Sequence, residues 1–305
     1  MGQLYISVLG TPEVHHGGRA LKFRSRKVLA LLLYLAVEGR RVTRERISAM
    51  LWPESEESAA RATLRRALAD LRNALDDCPA HTHLAIERDT LGFASIPGDQ
   101  LDVHIVDGAF ELLCHPSAMG EQEGAPQTIL RQLQQAMQVS RGSFMEGFSL
   151  DDAPDFDDWV DEQRAVWQRR MSLIYERLAE MQAELGNVPG AVETAYRWLA
   201  HDPLQELAYQ RLMLLYLHAG NYRAAFNVYE HCCKVLAEEL GARPLAETQA
   251  IAERVRQTAN NASGSVEQSN QLLMHALNRT ESRAEQANES TLIADVEWHL
   301  AQLGF

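Results

Sequence analysis

Ser58, Arg61, Ala62, Arg65, Arg66 and Arg72 carry the most informative chemistry in this chain. An arginine presents a planar fork of donors that matches phosphate oxygens and the O6/N7 edge of guanine. At helical spacing, Ala60, Leu64, Leu68, Leu71 and Leu75 form one apolar stripe within Ser55–Asp77. Arg61, Arg65 and Arg72 stack along its flank, and Ser58, Ala62, Arg66 and Ala69 continue round the outer face. Small side chains between guanidiniums let a helix backbone settle into a major groove. A solvated surface helix would show the same charges, so the surrounding chain has to decide.

Other clusters suggest different chemistry and carry it less well. Asp151, Asp152, Asp155, Asp157 and Asp158 could hold a metal or supply an acid and a base. They flank Pro154 at the start of a long helix, where capping and the helix dipole favour aspartate without any catalytic role. Cys78, His81 and His83 lack the fourth ligand and regular spacing of a zinc site. Cys232-Cys233 falls in a helix, where at least one thiol is expected to be buried as a small apolar group. No Ser/His/Asp arrangement and no dinucleotide-type glycine loop is present. The expectation is a protein that is not an enzyme, with no catalytic residue, metal site or cofactor.

The elements around the arginine helix read as a small α+β domain over residues 1–98. Leu4, Ile6 and Val8 alternate as a strand, Gly10-Thr11-Pro12 breaks it, and Gly17-Gly18 turns the chain before Leu21 and Phe23. Ser25 can cap a helix with the apolar body VLALLLYLAV, ending at Gly39. Thr43 caps a second helix with Ile47, Met50 and Leu51 inward, ended by Trp52-Pro53. The arginine helix is third, and Leu84–Ser95 reads as a hairpin with Arg88-Asp89-Thr90 at its tip. Short strands, three helices and a hairpin make a winged helix-turn-helix, in which the third helix enters the major groove and flanking elements grip phosphate. Arg24, Arg26 and Lys27 stand at the start of the first helix, Arg44 and Arg46 at the start of the second, and Arg88 at the wing tip. Glu54, Glu56 and Glu57 sit near the groove end, suiting a helix dipole or forming a partner surface.

Bulk properties are compatible with this reading. The length of 305 residues suits two domains. The net charge of −13 is unevenly spread: Arg19–Arg72 holds 13 Lys/Arg against 6 Asp/Glu, whereas residues 101–305 hold 15 against 30. Binding depends on the phosphates contacted, not on whole-chain charge. Cys78, Cys114, Cys232 and Cys233 form no disulfide framework. There is no secretory signal, and the longest apolar run, Val28–Val37, is too short to span a bilayer. The expected location is cytoplasmic, with no membrane partner.

Residues 99–257 read as all-helical. DVHIVDGAFELL opens them, HPSAMGEQEGAPQ is a loop, and another helix runs near Thr128–Arg141. A long helix then keeps Trp167, Met171, Ile174, Leu178, Met181 and Leu185 in core periodicity. Gly186-Asn187 recurs as Gly220-Asn221 and Ala191 as Ala225, an offset of 34 residues and the tetratricopeptide period. A final helix over Leu245–Gln257 completes the stack, and residues 258–305 read as a polar linker with a helical tail.

The pattern Leu9-Gly10, RKVLALLLYLAVEGRRVTRERISAMLW, the leucine ladder of the third helix, FMEGF, Trp159–Arg164, GNVPGAVETAYRWLAHDPLQE and EELGARP resembles the antibiotic-regulatory-protein (SARP) type of bacterial transcription activator. The resemblance runs from about Leu9 to Arg256. It implies an OmpR-like winged helix followed by a bacterial transcriptional activator domain (BTAD), and hence a mainly α chain. It also implies tandem dimers on direct repeats of double-stranded DNA near promoters, with recruitment of RNA polymerase through its sigma factor. Larger relatives append an ATPase; no G-x-x-x-x-G-K-[ST] occurs here, so the short form or a piece of a longer chain is expected. Two other functions compete with a DNA-binding regulator. One is a tetratricopeptide-like scaffold for a protein or small effector, with DNA binding secondary. The other is a metal-dependent hydrolase built on Asp151–Asp158.

Overall fold

Alternation in the first strand has the expected outcome: β1 (Leu4–Ser7) buries Leu4 and Ile6, and Val8 and Leu9 follow them into the core. The structure, a computed structural model, describes residues 3–75, 82–115 and 125–262. Cys78, His81, residues 116–124 of the expected loop and residues 263–305 of the expected tail lie outside them. β1 pairs antiparallel with β2 (Glu13–His16), in register Leu4↔His16 and Ile6↔Val14. The turn at Gly17 and Gly18, φ 57° and 79°, leads into β3 (Arg19–Ala20). Both backbone conformations favour glycine. The strand expected at Leu21 and Phe23 is thus earlier and shorter, and those two side chains only pack against the core edge.

A second layer of the N-terminal fold comes from α1 (Arg26–Glu38), α2 (Arg44–Leu51) and α3 (Glu57–Leu75). Ser25 accepts from Val28 N, and Gly39 closes α1 in the left-handed region at φ 61°. Leu31 through Ala36 are all buried, so α1 is enclosed on every side. Tyr34 meets Trp159 edge-on at 4.9 Å, and Trp159 Nε1 donates to Glu38 at 3.1 Å. Thr43 accepts from Arg46 N to start α2, which ends at Trp52. The third helix begins two residues later than Ser55, and residues 76 and 77 fall outside the described chain. β4 (Val42–Thr43), β5 (Leu84–Ile86) and β6 (Thr90–Phe93) make a three-stranded sheet in the order β4-β6-β5, and β5–β6 is the expected hairpin.

The chain divides into units at residues 208/209, so the boundary read at 98/99 lies inside the first unit. Two contacts explain this. β7 (Gln100–Leu101) pairs parallel with β1, giving the sheet order β3-β2-β1-β7. Just after it, the fully buried Asp102 carboxylate accepts from Val8 N at 2.7 Å, Leu9 N at 2.8 Å and Val103 N at 2.8 Å. The first unit continues through α4 (Asp102–Cys114), α5 (Ala125–Val139), α6 (Pro154–Glu184) and α7 (Val188–His201).

On α6, Trp167, Met171, Ile174, Leu178 and Met181 are buried as their spacing requires. Leu185 is not: it is the C-cap, 65% exposed, because Gly186 at φ 77° reverses the chain there. Asp155 and Asp157 stand in the first turn of α6, as the dipole reading expects, but the cap itself differs. Ala153 is the N-cap and makes no side-chain cap bond, whereas Asp157 accepts from Leu150 N at 3.0 Å.

The 34-residue repeat is visible as a repeated start signal. Asn187 caps α7 by accepting from Gly190 N at 3.1 Å, with Ala191 fully buried. Following α8 (Glu206–His218), Asn221 caps α9 (Tyr222–Leu240) by accepting from Ala224 N at 3.2 Å, with Ala225 fully buried. A further helix covers residues 246–262, and its Val255 packs with Leu217 and Ala225. Cys232 is buried and Cys233 half-buried. No helix among the described residues is long and apolar enough to cross a membrane.

Candidate nucleic-acid interface

The leucine seam of α3 determines what the helix shows outward. Leu64, Leu68, Leu71 and Leu75 are at most 5% exposed, so the arginines one position round the helix cannot turn inward. Two further elements approach the first half of α3. Thr43 caps α2 and places Arg44 at its first position, while the pairing Thr43↔Thr90 brings the wing tip alongside. Arg44 N donates to Asp89 O at 3.0 Å, and its guanidinium donates to Glu87 O at 3.1 and 3.2 Å, so the helix start and the hairpin are tied together.

Between them lies a cleft of about 560 Å³ lined by Arg44, Ser58, Arg61, Arg65 and Arg88, with Thr43, Glu45, Leu64 and Asp89 completing the wall. Five of the residues singled out from the sequence therefore meet in one concave surface. Arg61 is paired with Glu57 one turn earlier on α3. Arg65 and Arg88 are exposed and, among the described residues, have no ion pair. Thr43, Glu45 and Asp89 were not legible as cleft residues, since the signal that gathers them is a two-residue strand.

The remaining candidates are placed elsewhere. Arg26, Lys27 and Arg66 line a separate cleft of about 420 Å³ with Trp52, Asp70 and the Ser149–Asp152 segment. Lys27 Nζ is 2.7 Å from Asp152 and lies over the Trp52 ring, leaving its side chain only 16% exposed. The Lys27 hydrogen bond is the main influence holding the Asp152 carboxyl below the usual carboxylate range. Arg26 sits over Phe148 at 4.9 Å, and Arg24 is 3.5 Å from Asp70. Arg46 and Arg72 are exposed and Ala62 is half-buried; none of the three lines either cleft.

The sequence clusters that suggested other chemistry have structural partners. His83 is buried at the base of the wing, 3.4 Å from Asp99 and stacked on Phe93, and Asp99 also accepts from Leu4 N and Ile96 N. Asp152 and Asp157 have the partners already described. Among the described residues, no group of three His, Cys, Asp or Glu side chains is arranged to hold a metal ion.

With that geometry in place, comparison with known proteins is informative. Residues 107–256 match the bacterial transcriptional activator domain. The chain is 26% identical over 257 residues to the transcriptional regulatory protein MoaR1 of Mycobacterium tuberculosis, covering 83% of this chain and 79% of that protein. It is 27% identical over 263 residues to the regulatory protein AfsR of Streptomyces coelicolor, covering 84% of this chain but 24% of that longer one. In fold it is similar to Mycobacterium tuberculosis EmbR, solved in complex with a low-affinity phosphopeptide. That match has a TM-score of 0.63 at 21% identity and covers 87% of this chain and 70% of that one. The chain thus joins a winged-helix-like α/β region to a mainly helical repeat region that matches the bacterial transcriptional activator domain.

Proposed function

We propose that this protein is a sequence-specific DNA-binding transcription regulator, and an activator. The observation that carries this reading is the cleft holding Arg44, Arg61, Arg65 and Arg88 against the outward face of α3. A duplex seated there meets Arg65 and Ser58 from the recognition helix, with Arg44 and Arg88 gripping phosphate on either side. The similarity to transcriptional regulatory proteins supports the same assignment. Two copies bind as a tandem pair on direct repeats, with half-sites about one helical turn, roughly 10–11 bp, apart. Glu54 and Glu56, exposed on the loop between α2 and α3, offer an acidic surface for RNA polymerase or its sigma factor.

The deciding experiment is selection of bound duplexes from a random pool by the full chain, followed by footprinting. A recurring direct repeat is the expected result. Recovery of no preferred sequence would overturn specific recognition, and a protected inverted repeat would overturn the tandem arrangement. Activation is read separately, by run-off transcription with purified polymerase on the selected site.

A further inference from the structure

A second polar site lies away from the arginine cleft. A cavity of about 160 Å³ opens where the chain leaves α5 and meets the middle of α6 and the last turn of α7, lined by Met137, Ser140, Arg141, Tyr175, Arg197 and His201. His201 Nε2 in its wall is buried and, among the described residues, has no hydrogen-bond partner, while the buried Ser140 Oγ lies against the Tyr175 phenol. Folded proteins rarely leave a buried polar atom in that condition, so it marks a place where something else completes the bonding.

The chemistry of the wall is one-sided. Burial pushes the Tyr175 phenol up, opposed by the adjacent Ser140 hydroxyl and the Arg197 charge, so it remains a protonated donor. Burial pushes His201 down, opposed by Asp202, so the imidazole is neutral near pH 7. Arg141 and Arg197 stand at the mouth, paired with the carboxylates of Glu13 and Glu193, both at 3.1 Å. One such pair leaves most of a guanidinium's five donors unused. Among the described residues, no carboxylate lines the cavity. At the two helix ends, Ala136 O accepts from Ser140 N and Trp198 O from Asp202 N. Two guanidiniums without a facing carboxylate among the described residues favour an occupant that is rich in acceptors and negatively charged. It must also be small, since the volume equals about five waters and falls below that of ordinary organic-ligand sites.

We propose that this cavity binds a small oxyanion of the phosphate class. Arg141 and Arg197 supply charge, and Ser140, Tyr175 and His201 supply directed hydrogen bonds from the interior. Arg141 also couples the site to the N-terminal sheet: its amide donates to Leu9 O and its guanidinium to Thr11 O, both at 3.1 Å.

The test is titration of the full chain with inorganic phosphate against chloride at matched ionic strength, read by thermal unfolding and by 31P line broadening. A saturable rise in melting temperature beyond that in chloride is expected. Arg197→Gln, a half-exposed and structurally mild change, should weaken binding by about tenfold or more. Ser140→Ala should weaken it several-fold, while Arg65→Ala should leave it unchanged. No excess effect of phosphate over chloride would overturn the proposal and leave the cavity to water. A response that survives Arg197→Gln but is lost in Arg65→Ala would also overturn it, by placing the anion in the DNA cleft.

Discussion

Arg65→Ala is the sharpest single perturbation of the proposed interface, because Arg65 has no other job. Its side chain is exposed and, among the described residues, has no ion pair, so its loss should change folding stability by less than about 0.5 kcal/mol. Alanine is also the better helix former, so α3 itself should not suffer. A bidentate hydrogen bond from Arg65 to guanine is worth about 1–3 kcal/mol, or roughly 5- to 150-fold in affinity. Fluorescence anisotropy on the selected duplex, repeated over a salt series, separates base reading from phosphate binding. If Arg65 reads a base, the alanine variant binds the selected site more weakly and nonspecific DNA as before. If Arg65 grips phosphate, affinity falls for both and the slope of log K against log salt flattens by about 0.9. If the variant binds the selected duplex as tightly as the parent, with its melting temperature unchanged, α3 does not face DNA through Arg65.

Three further outcomes follow from particular side chains. Glu57→Gln removes a carboxylate beside the groove and frees Arg61 from its pair, so DNA affinity should rise by up to about fivefold at low salt; a measured fall would show that the pair positions Arg61 for binding. Asp102 is pushed up to about 6 by burial, against the pull of three backbone N–H groups, and its ordinary value is 3.8. The native state therefore takes up a proton more readily than the unfolded chain, and Asp102 adds stability as pH falls through 6, complete below 3.8, by up to about 3 kcal/mol. Urea unfolding of the parent and of Asp102→Asn between pH 7 and 4 should show the parent gaining on the variant; a constant difference would refute the burial argument. Ala191→Leu forces a larger side chain into a fully buried position on α7, and should cost about 1–3 kcal/mol in the same urea assay, while a neutral result would mean the α6–α7 packing has slack.

Local signals in the sequence were strong wherever one residue does one job. Ser25 and Thr43 read as caps because a short polar side chain meets a bare helix start, and each forms that bond; Asn187 and Asn221, legible only as a repeat, prove to be caps as well. The leucine seam of α3 was equally plain, since periodicity and burial are the same fact seen twice. Long-range pairing was not legible. Nothing in Gln100-Leu101 announces a strand parallel to β1, and Asp102 looks like any helix-start acid until Val8 and Leu9 are found on its carboxylate. The site was half legible for the same reason. Helical spacing places Arg61 and Arg65 on one flank, but only the β4–β6 pairing brings Arg44 and Arg88 to them. The same positive charges at the start of α1 are drawn to Asp152 and Phe148, which lie more than a hundred residues away in sequence.

That separation bears on how an acidic protein can hold DNA. Lys27 is bonded to Asp152 and only 16% exposed, so it contributes little to salt-dependent binding. If every basic residue around the three helices gripped phosphate, about ten neutralised phosphates would give a slope of about −9 on B-DNA. The cleft alone, with Arg46 beside it on α2, neutralises about four or five and gives a slope of about −3.6 to −4.5. Those values are far enough apart for one salt series to decide between them. The shallower slope follows from the geometry: Asp151 and Asp152 stand across their cleft from Arg26, Lys27 and Arg66, where an approaching phosphate meets like charge. On the proposed function, the local acidity would steer a duplex to the surface where Arg65 and Arg88 have no ion pair among the described residues.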